Sequence, residues 1–77
     1  MSELIEILNC VRADVDFEKE TKLIDDSILD SFDIIGIVSE LNDHYGIEIG
    51  ADDLLPENFN SAEAILRLVE KLKSGNN

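Results

Sequence analysis

With 77 residues, 44% of them apolar, the chain has material for one small domain with a limited core, and too much apolar content for a disordered acidic tail. Eighteen Asp/Glu against six Lys/Arg leave a net charge of −12, which repels nucleic acid and anionic membrane surfaces and attracts basic patches on other proteins. The single Cys10 excludes an internal disulfide framework, and the absence of a long apolar run or of a charged-then-apolar leader leads to the expectation of a soluble, monomeric, cytoplasmic protein.

Leu4, Ile5, Ile7, Leu8 and Val11 recur at helical spacing behind Ser2, a usable N-cap, so a first helix is predicted over about residues 2 to 13. From Asp14 to Asp30 the rhythm breaks. Val15, Phe17, Leu23, Ile24, Ile28 and Leu29 lie in this stretch, and a connection of that length inside a small domain has to be pinned by such anchors.

A second helix is predicted from Ser31 to Tyr45. At 100° per residue, Ile34, Ile37, Val38, Leu41 and Tyr45 gather on one side with Ile35 on their shoulder, while Asp33, Gly36, Glu40 and Asp43 gather on the other. Phe32 falls with the acidic set and is expected to be exposed beside Ser31. Gly46 is a helix stop, and Ile47 and Ile49 alternate with polar neighbours as a short extended stretch that need not pair. Pro56 permits a helical turn to about Phe59. Asn60 and Glu63 have capping-box spacing and are expected to start a last helix with Ile65, Leu68, Val69 and Leu72 inward and Lys71 and Lys73 at its negative end. Ser74 to Asn77 is expected to fray. The predicted architecture is an all-α four-helix bundle, three main helices plus one short one, forming a single domain over residues 1–77.

The chemistry concentrates at Leu29-Asp30-Ser31-Phe32-Asp33. There a nucleophilic hydroxyl stands where a loop ends and an amphipathic helix begins, among backbone N–H groups without intrahelical partners, where the dipole favours an anion such as a phosphate ester.

These residues resemble the acyl carrier proteins. The likeness is carried by Leu29-Asp30-Ser31, by Phe32 where leucine is usual, by Asp33, by Ile35, Ile37, Val38 and Leu41, and by Tyr45-Gly46-Ile47-Glu48-Ile49 closing the helix, all without a gap. Pro56-Glu57-Asn58-Phe59 and Ser61 through Leu72 continue it, and it is weakest over residues 1 to 25. The resemblance implies an acyl-carrier-protein-like fold and a substrate and shuttle rather than an enzyme. It implies 4′-phosphopantetheine, delivered from coenzyme A by a phosphopantetheinyl transferase and held covalently on Ser31, with acyl groups carried as thioesters on its terminal thiol. Asp30 matches the aspartate that helps hold magnesium in the transferase complex, a hard ion suited to carboxylate and phosphate oxygens; its local role is to cap the helix. Partner enzymes with basic patches are implied to dock on Phe32, Asp33, Glu40, Asp43 and Glu48, with Asp52 and Asp53 as further candidates.

Phe32, Gly36 and Ser39 depart from the fatty-acid pattern, where leucine, glutamate and an apolar residue are common, so a polyketide, aminoacyl or other dedicated pathway stands beside fatty-acid biosynthesis. The alternative from another class is a non-carrying acidic helical interaction module. No metal site is expected: Asp14, Asp16 and Glu18 open like a calcium loop, but Lys19 occupies the glycine position and Asp25 that of the bidentate glutamate. His44 reads as solvated surface and Cys10 as a small packed residue at the rim of the first helix. Ser27, after Asp25-Asp26, competes with Ser31 but has no helical register behind it.

Overall fold

The structure, a computed structural model, describes residues 2–74. Helices α1 (Ser2–Val11), α2 (Ser31–Tyr45), α3 (Pro56–Phe59) and α4 (Ala62–Lys73) follow in chain order, with a 3-10 turn at Ala51–Asp53 that periodicity does not predict. Of the stretch from Ser74 to Asn77 expected to fray, Ser74 instead closes α4, its N–H donating to Glu70 C=O and its Oγ to Lys71 C=O, and 75–77 lie outside the described residues.

Helix α1 runs antiparallel to α2. At one end Arg12 meets Asp33, and at the other His44 Nε2 lies 2.5 Å from Glu3 Oε2, a hydrogen bond that lowers the Glu3 carboxyl below its ordinary value. Helix α4 packs against α1, α2 and α3, and its Lys73 ammonium sits 5.2 Å from the centre of the Tyr45 ring. The core joins Leu4 and Leu8 of α1, Ile37 and Leu41 of α2, Phe59 of α3 and Ile65, Leu68 and Val69 of α4. Phe17 and Phe59 are almost completely enclosed, each contributing about 2–3 kcal/mol of apolar burial.

The connection from Asp14 to Asp30 is pinned as its composition predicts: Val15, Phe17, Leu23 and Leu29 are buried, and Ile24 and Ile28 pack against the core. Its middle is a tight turn. Ile28 N–H donates to Leu23 C=O and Ser27 N–H to Ile24 C=O, with Ser27 at φ +58°, the left-handed closure usually supplied by glycine. Ile47 and Ile49 are buried on either side of exposed Glu48, and no strand forms among the described residues. Helix α2 ends at Gly46, φ +66°, whose N–H donates to Asn42 C=O while Asn42 Oδ1 accepts from Ile49 N–H.

Several expectations need correction. The α4 cap is Ser61, whose Oγ accepts from Ala64 N–H; Asn60 instead turns its Oδ1 to Ile24 and Asp25 N–H, 3.0 and 3.1 Å away. The loop competes for that side chain, which local spacing cannot reveal. Ile35 is 64% exposed because it lies about 140° around the helix from the Ile37–Leu41 stripe, beyond the reach of α4. Gly36 is not on an open acidic face: a Cβ there would come within 3.3 Å of Val11 Cγ1, so this side of α2 is where α1 approaches. Cys10 is exposed rather than packed.

Candidate functional site

The site begins with Asp30, whose extended backbone (φ −106°, ψ −176°) stops the loop and opens α2. Asp30 Oδ1 accepts from Asp33 N–H at 2.9 Å, and Asp33 Oδ2 accepts from Asp30 N–H at 3.1 Å, a reciprocal capping box. Ser31 is therefore the first helical residue, and it is exposed. Its hydroxyl stands at the positive end of a 15-residue helix, where the first N–H groups have no intrahelical partner and an attached phosphodiester is favoured. The exposed serine and the open helix start fit a phosphate-linked group.

Around that hydroxyl the surface is apolar on one side. Phe32 is 83% exposed and Ile35 64%, and Leu54 and Leu55 are nearly half exposed beyond them. Ile34, Ile35, Val38, Ser39, Asn42 and Leu54 line an open cleft of about 320 Å³. A smaller one, about 110 Å³, lies between Ile24, Ile34, Leu54, Leu55, Pro56 and Phe59. Both open between α2 and the segment leading into α3.

The acidic candidates divide in two. Glu40, Asp43, Glu48 and Asp52 are exposed. Asp33 is not an open charge: its side chain is only 14% exposed, and Oδ2 is 2.6 Å from Arg12 Nη1. Asp53 is half-buried and accepts from Gly50 N–H at the start of the 3-10 turn. Arg12 is the residue that pattern reading overlooks. Its Nε and Nη2 bind Asp14 at 2.8 and 2.9 Å, its Nη1 reaches Asp33 and, at 3.4 Å, Ile28 C=O. The same pairing pulls the Asp14 carboxyl down to about 2 and raises the guanidinium further above its already high value. The Asp30–Asp33 spacing was a legible signal for the box, but nothing in the sequence pairs Asp33 with a residue of another helix.

Other candidates lie elsewhere. Ser27 closes a turn and no helix begins behind it. His44 is partly exposed and tied to Glu3. Among the described residues no cluster of three or more His, Cys, Asp or Glu gathers as a metal site, and no helix is long and apolar enough to cross a membrane.

A family model described as the phosphopantetheine attachment site matches residues 2–69, nearly the whole described chain. Searches of curated proteins and of solved structures yield no match. Because the matched span includes α1, α2, α3 and most of α4, the chain belongs to the phosphopantetheine attachment-site family, the acyl carrier protein kind: a non-catalytic carrier that bears covalent 4′-phosphopantetheine and works with a phosphopantetheinyl transferase and partner enzymes.

Proposed function

We propose that Ser31 is the attachment point and that residues 1–77 act as a single cytoplasmic carrier domain, shuttling acyl groups between enzymes of a fatty-acid, polyketide or another specialised pathway. The observation that carries this reading is the exposed Ser31 on the first turn of α2, directly behind the Asp30 cap. In loading, the Ser31 oxygen forms a bond to the pantetheine-side phosphorus of coenzyme A. The pyrophosphate link breaks, the nucleotide half leaves with its phosphate, and the hydroxyl proton passes to a base of the transferase. Asp30 would serve twice: Oδ1 caps α2, and the carboxylate would help hold the magnesium ion that the transferase brings, a hard cation suited to carboxylate and phosphate oxygens. Once attached, the group supplies a terminal thiol that holds cargo as a thioester.

The chain's own contribution after loading is docking. Phe32 and Ile35 offer apolar contact beside the attachment point, and Glu40, Asp43 and Glu48 offer open negative charge to a basic patch, giving fast, salt-sensitive and transient association. Asp33 contributes less, since Arg12 counters its charge. Phe32, Gly36 and Ser39 depart from the fatty-acid pattern and set a dedicated client, polyketide or aminoacyl, beside a fatty-acid one; Gly36 has a packing reason in Val11 as well.

The test is intact mass after incubation with a broad-specificity transferase and coenzyme A. A gain of one phosphopantetheine, absent in Ser31→Ala, is expected. An unchanged wild-type mass supports the non-carrying interaction module instead.

A further inference from the structure

We propose that Arg12 is a positioning residue for the loading of Ser31, acting through Asp33. The inference rests on Ser31 being the attachment point. Arg12 lies just past the end of α1, yet its guanidinium reaches both sides of the corner that delivers Ser31. Nη1 is 2.6 Å from Asp33 Oδ2, behind the serine, and 3.4 Å from Ile28 C=O, ahead of it. Nε and Nη2 are held by both oxygens of Asp14, which fixes the plane of the group from the α1 side. Asp33 Oδ2, the atom Arg12 grips, is also the acceptor of Asp30 N–H. A continuous polar chain thus runs from Asp14 through Arg12 and Asp33 to the backbone immediately before Ser31.

Arginine is required by this arrangement. A planar fork presents several donors in fixed directions, whereas a lysine ammonium is a point charge that meets either Asp14 or Asp33 well but not both together with a carbonyl. The pair is shielded: Arg12 is 30% exposed and Asp33 14%, so it is less screened than an ordinary surface ion pair. The capping box orders only α2's own first turn. Arg12 adds to the apolar packing of α1 on α2 a polar tie from that turn to the loop before it and to the end of α1, and so helps set where the Ser31 hydroxyl stands relative to the rest of the bundle. A transferase docked on the exposed acidic and apolar surface meets the hydroxyl in a fixed place, and in-line attack is sensitive to sub-ångström displacement.

The experiment compares transferase kinetics of wild type, Arg12→Gln, Asp33→Asn and the double variant, with coenzyme A saturating and folding checked by circular dichroism. The expected result for Arg12→Gln is a loss in kcat on the order of 10-fold with KM for the carrier not raised, because the exposed docking charges remain and Asp33 is uncovered beside them. The double variant is expected to load no more slowly than the slower single variant, since both break one chain. Arg12→Lys is expected to recover only part of the rate. Overturning results are a wild-type rate for Arg12→Gln, a loss confined to KM, or multiplicative losses in the double variant. Should Arg12→Gln not fold at the assay temperature, Asp14→Asn keeps the Asp33 pair and weakens its anchor, removing the charge and one of the two acceptors. A smaller kcat loss there supports the proposal, and an unchanged rate refutes it. Wild-type protein that gains no mass refutes the attachment reading itself, whereas loading at equal rates in wild type and Arg12→Gln refutes the role of Arg12 alone.

Discussion

Asn60→Ala, between α3 and α4, is expected to destabilise the protein more than any single exposed polar truncation within the loop that leads to Ser31. Asn60 Oδ1 accepts from Ile24 and Asp25 N–H at 3.0 and 3.1 Å, Nδ2 donates to Asp25 Oδ2 at 3.2 Å, and the backbone carbonyl accepts from Leu23 N–H at 2.9 Å. Alanine keeps only the last. The Asp25 groups are exposed and return to water, so losing them costs a few tenths of a kcal/mol, whereas the Ile24 N–H is partly buried and loses its acceptor at about 1–2 kcal/mol. Together these give about 2 kcal/mol. A domain of this size has on the order of 4–12 kcal/mol of stability, so the melting temperature should fall by about 8–16 °C. Asn60→Asp keeps an acceptor for both N–H groups but sets a carboxylate against Asp25, and should fall between wild type and alanine. The assay is urea unfolding followed by circular dichroism, with the slope unchanged and the midpoint lowered. A loss below about 0.5 kcal/mol for Asn60→Ala, or an Asp variant worse than alanine, refutes the assignment of this side chain as the tie between the loop and α4's start.

Two further outcomes follow from the loop and from Arg12. Ser27 holds φ +58° in a turn closed by the Ile28 to Leu23 bond, so Ser27→Gly is expected to raise stability by about 0.5–1 kcal/mol in the same urea assay; a decrease contradicts the turn. Hydrogen bonding to Arg12 lowers the Asp14 carboxyl from 3.8 to about 2. Its stabilisation is therefore complete above the unfolded value and is lost as pH falls through the folded one. The gap in unfolding midpoint between wild type and Asp14→Asn should be constant above about pH 5 and shrink steadily between about pH 5 and pH 1; a gap that does not narrow over that range refutes the pairing.

What the sequence determined by itself is the part of the protein governed by near neighbours in the chain. The limits of α2, its stop at Gly46, the turn at Pro56 and the exposed Phe32 follow from periodicity and from capping chemistry within a few residues, and each stands where spacing put it. The anchors of the long connection were legible for the same reason: apolar residues in a small chain have only one core to enter. The attachment candidate Ser31 belongs to this class, since a helix start is a local event.

Tertiary structure decided every feature in which a side chain had to choose between partners distant in sequence. Asn60 had the right spacing to cap α4, but the loop's N–H groups came within reach and Ser61 took the cap. Asp33 had the right face to be a docking charge, but Arg12 crossed from α1 and engaged it. Gly36 and Ile35 exchanged their expected roles because α1 packs on one side of α2 and nothing described covers the other. Hydrophobic period specifies that a helix has an inside; only the positions of the other helices specify how wide that inside is and which polar groups are drawn into it.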